Sequence, residues 1–201
     1  LTPRFFSMAH IAMFDAVNAI EREFTPYQVK LRFASGSPEA AAAQAGHHVL
    51  VVIKPHGKAR YGAALARQLG GKPSGYVQRG AEVGARVAKE VLAWRQNDGW
   101  VVSPFPPYAE PPLPGRWQPT PPRNANAAFT HVLHAAPMAL LSPTLYLPPP
   151  PPSLTSARYA ADVNEIKQIG KSDSATRTPE QTVIARLWNG NAATGVGTAT
   201  N

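Results

Sequence analysis

The sequence predicts an all-α fold, a bundle of about six helices. Three observations carry that reading: apolar residues recur at three- and four-residue steps in several segments, helix-start and helix-stop signals bracket those segments, and no stretch alternates apolar and polar residues as a strand would. No repeat of solenoid period is present.

Thr2-Pro3 opens a helix over about Pro3 to Ile20, because proline at the first helical position loses no hydrogen bond there. Its apolar residues Phe5, Phe6, Met8, Ala9, Ile11, Ala12, Met13, Phe14, Ala16, Val17, Ala19 and Ile20 form a stripe wide enough to need cover on most sides. Ser37-Pro38-Glu39 repeats the start chemistry with a carboxylate in the first turn, and this second helix runs to Ile53 before Pro55. A third over Lys58 to Leu69 is expected to end on a left-handed cap at Gly70-Gly71, and together the two make a hairpin.

The fourth and longest helix, Ser74 to Asn97, places Val77, Ala81, Gly84, Ala85, Ala88, Val91 and Leu92 on one face and ends at Asp98-Gly99. Glu82–Arg86 and Arg86–Glu90 stand four apart on the other face, a spacing that adds a few tenths of a kcal/mol per pair. Three shorter helices are expected at Ala125 to His134, Ser156 to Ile169 and Pro179 to Asn189. The last has Thr178 and Gln181 placed as a capping box.

Proline, at 22 residues, is about twice its usual share. Most of it falls in two blocks, which read as a loop over about 100–123 and a linker over 143–153. In the first, Trp100, Phe105, Tyr108 and Trp117 are spaced like anchors pinning a long loop to a core, a reading preferred to that of a proline-rich ligand for a recognition domain. The domain spans 1–190, and the small, polar stretch 191–201 is expected to fray.

The formal charge of +8 and pI near 10.0 come from scattered Lys and Arg without a run of like charges. Lys54, Lys58 and Arg60 are the candidate anion-binding residues, within a wider patch that includes Arg67, Lys72 and Arg79. Apart from Tyr61 and Tyr76 no Phe, Tyr or Trp interleaves with these cations, short of what a single-strand nucleic-acid platform requires, so a solvated face comes first and weak anion binding second. The absence of cysteine excludes disulfides, thiolate metal sites and cysteine nucleophiles. No run approaches the length of a transmembrane segment; the apolar stretch Val49 to Ile53 is far too short. A start at Leu1, with helix signals within three residues, reads as a processing or cleavage product.

His47, His48 and His56, and His131 with His134, invite a metal reading but lack acidic partners at ligand spacing, so no metal site is assigned. Asp15 with Asn18, and Asp162 with Asn164 and Glu165, are expected to hold helices and loops together by hydrogen bonds rather than act as acid and base.

Four segments, taken in order, resemble bacterial vanadium-dependent haloperoxidases of the phosphatidic-acid-phosphatase type: SMAHIAMFDAVNAI (7–20), GRWQPTPP (115–122), LTSARYAADVNEIK (154–167) and RTPEQT (177–182). The resemblance covers most of Leu1 to Trp188. It implies a helical bundle, and for the complete protein a bound vanadate or phosphate with either halide oxidation or phosphate-ester hydrolysis. It also leans towards a secreted or periplasmic location.

The family's oxyanion site is a Lys followed by Arg-Pro, then Ser-Gly-His, then Arg with a His six positions on. Cations and backbone amides there neutralise the anion while a histidine makes the apical bond. This sequence has no Arg-Pro and no Ser-Gly-His. Ala45-Gly46-His47-His48 lacks the hydroxyl, and Arg4 with His10 precedes every other motif, so both read as coincidence and no catalytic residue is assigned. The expectation is a non-catalytic portion of a haloperoxidase-like or acid-phosphatase-like protein, without a cofactor of its own. Its partner would be a missing C-terminal catalytic half or a second copy of itself, because the first helix would otherwise leave apolar surface open.

Two rivals stand beside it. One is a self-sufficient basic helical protein that binds an anionic ligand, a membrane surface or nucleic acid in defence or storage. The other is a working phosphatase built from unrelated histidines and arginines.

Overall fold

A computed structural model describes residues 2–70, 74–101, 106–122 and 124–189. Six α-helices are present among them: α1 Thr2–Glu21, α2 Pro38–Ile53, α3 Lys58–Leu69, α4 Gly75–Trp94, α5 Ala157–Ile169 and α6 Pro179–Asn189. Short 3₁₀ turns occur at Pro55–Gly57 and Thr130–His134, and the described residues contain no strand. The chain divides into two compact units, one of Leu1–Ser103 with His134–Ala139, the other of Pro104–Leu133 with Leu140–Asn201.

The first unit is built on α1, α2 and α4. Met8, Ile11, Ala12, Ala16 and Ala19 of α1 meet Ala41, Ala45 and Val49 of α2 and Val83, Val87, Ala88 and Val91 of α4 in one buried cluster. The small size of these side chains lets the backbones approach closely. At Gly80 a Cβ would fall on the carbonyl oxygen of Ser37, and at Gly84 on that of Ala41, so α2 and α4 cross where neither glycine can carry a side chain. Hydrogen bonds fix the register of the crossing: the Ser37 N–H donates to Tyr76 O (3.0 Å), and the Ser37 Oγ accepts from Ala40 N (3.1 Å) as the cap of α2.

The wide stripe of α1 is only partly covered. Met8, Ala12 and Ala16 are enclosed, whereas Phe6 and Phe14 are exposed, and Phe14 packs on Phe24 with ring centroids 6.1 Å apart.

Several sequence expectations need correction. Gly70 caps α3 in an extended conformation (φ −59°, ψ 137°) instead of the left-handed one, its N–H donating to Ala66 O; Gly71 lies outside the described residues. The helix expected over Ala125 to His134 shrinks to Thr130–His134, because Phe129 takes a positive φ of 59° that a right-handed helix cannot contain. Regular α4 geometry stops at Trp94, short of Asn97, with Arg95 at φ −100°, ψ 4°.

The buried face of α4 is also rotated from the expected one. It holds Gly80, Val83 and Val87 with Gly84, Ala88 and Val91, while Val77, Ala81 and Ala85 are only half-buried. Arg86 forms no ion pair with Glu82 or Glu90 and instead lies over the Phe33 ring, 5.8 Å from its centroid.

In the second unit, Ser156 Oγ caps α5 by accepting from Tyr159 N (3.1 Å). The capping box of α6 is formed as read: the Gln181 N–H donates to Thr178 Oγ1 (3.1 Å) and the Thr178 N–H to Gln181 Oε1 (2.9 Å). Arg177 joins the two helices, donating to Ile169 O (2.9 Å) and Lys171 O (2.8 Å) at the end of α5 and to Thr182 Oγ1 (3.1 Å) in α6. In the proline-rich loop, Tyr108 and Trp117 meet each other edge to face at 5.2 Å. Phe105, the tail 191–201 and Lys72 fall outside the described residues.

Candidate functional site

The strongest polar constellation joins Arg4, which in the sequence reads as a coincidental motif partner of His10, and Asp98, which reads as a helix stop, with Arg95. Arg4, in the first turn of α1, and Arg95, at the end of α4, both direct Nε at Oδ2 of Asp98, each at 2.8 Å. All three side chains are almost wholly buried.

Further donors of both arginines are held by backbone carbonyls. Arg4 Nη2 donates to Arg95 O (2.9 Å), Arg95 Nη1 to Pro137 O (3.1 Å) and Nη2 to Ala136 O (2.6 Å). Asp98 Oδ1 accepts from Trp100 N (3.0 Å), and the Ala136 N–H donates to Asp98 O (2.8 Å). The cluster therefore ties the start of α1 to the end of α4 and to the 134–139 segment of the same unit.

Burial alone would raise the Asp98 pKa. The hydrogen bonds from Arg4 and Trp100, with the charges of Arg4 and Arg95, outweigh it and hold the carboxyl below its ordinary 3.8. An Arg at one end of the chain and an Asp 94 residues away give no local pattern, so sequence reading had no means of joining them.

Asp15 and Asn18 organise the loop after α1. Asp15, wholly buried, accepts from Tyr27 N (2.7 Å), Gln28 N (2.9 Å) and Val29 N (2.8 Å). Asn18 brackets Phe24, donating to its carbonyl (2.7 Å) and accepting from its N–H (2.9 Å). Both residues thus hold helix to loop. Asp162 pairs on the surface of α5 with Arg158 (3.1 Å).

The candidate anion residues lie on the surface. Lys54 follows the last turn of α2 and stands 4.8 Å over the Phe5 ring; Lys58 and Arg60 are exposed on α3, two positions apart and so turned to different sides of the helix. No converging group of cations is formed by these three.

Nor do the buried arginines fit a vanadate or phosphate, because their guanidinium groups are already held by Asp98 and by backbone carbonyls. His10 is exposed on α1, with Nδ1 2.8 Å from Phe6 O and its ring stacked on Phe6. Of the α2 histidines, His48 has its pKa lowered below 6.5 by burial first, then by the charges of Lys89 and His47. Among the described residues no three His, Asp or Glu gather as a metal site.

A concavity of about 520 Å³ lies in the first unit between α2 and α3. Ala40, Ala43, Gly46 and Leu50 line one side, Tyr61, Leu65 and Leu69 the other, with His47, Glu39 and Gln68 as its main polar groups. It is apolar and contains none of the candidate anion residues.

Comparison with protein-family models gives no match, and neither does comparison with curated proteins. Among solved structures, the chain is similar to that described as the first bacterial vanadium-dependent iodoperoxidase, with a TM-score of 0.67 and 24% sequence identity. The match covers 92% of this chain and 49% of the iodoperoxidase chain. The chain therefore shares the fold of that iodoperoxidase structure and spans about half of its length.

Proposed function

We propose that this chain is the non-catalytic helical portion of a haloperoxidase-like or acid-phosphatase-like protein, with the residues that hold vanadate or phosphate supplied from outside these 201. The observation that carries the reading is the unequal coverage of the fold match, nearly all of this chain against about half of the enzyme. Two further facts support it: the sequence contains no Arg-Pro and no Ser-Gly-His, and both buried guanidinium groups are engaged by the one carboxylate of Asp98 and by backbone carbonyls. An oxyanion site needs several cations aimed at one empty point, and here the enclosed cations point at a carboxylate. The net charge of +8 adds a general, salt-screened attraction to anions.

The test is direct. The purified chain, given vanadate, hydrogen peroxide and bromide or iodide, is expected to oxidise halide no faster than the protein-free blank. It is likewise expected to leave p-nitrophenyl phosphate unhydrolysed and to retain no stoichiometric vanadate in equilibrium dialysis. One-to-one vanadate retention at micromolar concentration would defeat the proposal, since it would require a convergent cationic site within this chain.

A further inference from the structure

Among its described residues the second unit shows no apolar interior of its own. The one buried side chain among them is His131, and every Leu, Ile, Val and aromatic residue is half-buried or exposed. The concentration is greatest on α6, where Val183 (64% exposed), Ile184 (47%), Leu187 (73%) and Trp188 (82%) recur at the spacing of one helical face. Thr182, Ala185 and Arg186 occupy the other side, and Glu180 stands at the N-terminal edge.

An 11-residue helix is shorter than the roughly 12 to 15 residues at which isolated helices become even marginally stable in water. Yet α6 has a complete capping box and is tied to the end of α5 by Arg177. Local chemistry specifies this helix while its apolar face meets water, an arrangement that soluble surfaces rarely keep open.

We infer that the face formed by Val183, Ile184, Leu187 and Trp188 is the docking surface for a second half-domain, equivalent to the part of the iodoperoxidase chain that the fold match leaves uncovered. The inference rests on the scaffold reading above and names the surface through which the scaffold would engage its counterpart. Coverage of 49% leaves about as much of the iodoperoxidase chain unmatched as matched, which is a partner of sufficient size. A second copy of this chain is the rival occupant, and it is distinguished from the half-domain by the mass of the assembly.

The experiment co-expresses the full 201-residue chain with the uncovered half of the iodoperoxidase as a separate polypeptide. In parallel, that half is fused after Asn201, which keeps the test valid if the separate half does not fold. Two signals are read: mass by light scattering, and the emission of Trp188, taken as the spectrum of the native chain minus that of Trp188→Phe.

For the chain alone the difference spectrum should be that of a water-exposed indole. With the half-domain, in trans or fused, it should shift to the blue, and the separate chains should elute as a one-to-one complex. Leu187→Asp with Trp188→Asp should weaken that complex at least roughly tenfold, while the remote control Lys58→Asp leaves it intact.

The inference is overturned by equal binding of the native chain and the double variant, by a Trp188 that stays water-exposed in the fusion, by a blue-shifted Trp188 in the chain alone, or by a homodimer that the same two substitutions dissolve. Each of those results leaves the absence of vanadate binding as it was, so the docking surface can fail while the scaffold reading stands.

Discussion

Two aspartates show how buried charge sets the energetics of single residues here. Asp15 neutralises no cation; its oxygens accept three consecutive backbone N–H groups, that of Val29 buried and those of Tyr27 and Gln28 partly so, which would lose these partners without it. Asp15→Ala should therefore cost about 3 kcal/mol or more in urea unfolding, since each orphaned donor costs on the order of 1 kcal/mol or above. Asp98 works differently, through charge. Its folded-state pKa is depressed below 3.8, so the unfolded chain takes up the proton at higher pH and the contribution of Asp98 is complete above that value. It is lost as pH falls through the folded pKa. The unfolding midpoint of the native chain should accordingly drop as pH is taken below 3.8, and Asp98→Asn, which leaves two buried guanidinium groups without a counter-charge, should lose about 3 kcal/mol at neutral pH. A variant whose stability falls with acid as steeply as that of the native chain would show that Asp98 is not the titrating group. The role of Asp15 could be anticipated, because a carboxylate among apolar helical residues must find donors. The Asp98 cluster could not, since Arg4 stands 94 residues from the Arg95–Asp98 pair that it joins.

At the scale of elements, caps and breakers were legible and rotations were not. Ser37, Ser74, Ser156 and Thr178 each act within three residues, so their chemistry is fully present in a short window of sequence. The face that α4 buries depends on α2, and the decisive residues there are the glycines: Gly84, which the sequence already places on the buried face, and Gly80, which an apolar-periodicity reading passes over. Gly80 and Gly84 let the two backbones touch, and this shifts the contact face towards Val83 and Val87. In a free helix glycine to alanine is favourable by about 1 kcal/mol. At Gly84 the sign should reverse, because the new Cβ would meet the carbonyl of Ala41, backbone that can yield only if the helices separate. We expect Gly84→Ala to destabilise by about 2 kcal/mol, within the range for overpacking a tight interface, whereas Gly62→Ala, which meets nothing within 4 Å, should be neutral or stabilising. Equal effects of the two substitutions in thermal unfolding would remove the close crossing as the organising contact of the bundle.

For the whole molecule, the division into two units implies unequal stability along one chain. The buried apolar cluster of the first unit joins α1, α2 and α4, while α5 and α6 are held by caps, the Arg177 bonds and a surface ion pair. The sequence could not disclose this difference. Helical periodicity in α6 looks the same whether its face is covered or open, and only the packing distinguishes a helix with a partner from one without. Local opening follows packing: segments with few buried contacts exchange their amides at free energies far below that of global unfolding. Hydrogen exchange followed by mass spectrometry should therefore find peptides spanning Ala12 to Ala19, Ala41 to Val49 and Val83 to Val91 protected to near the global limit. Peptides over Ala157–Ile169 and Pro179–Asn189 should exchange orders of magnitude faster. Protection of α6 equal to that of α2 would mean that its apolar face is already covered within this chain. Fast exchange there, slowed only when the uncovered half of the iodoperoxidase is fused on, would place the stability of α5 and α6 in the assembled protein and not in the scaffold alone.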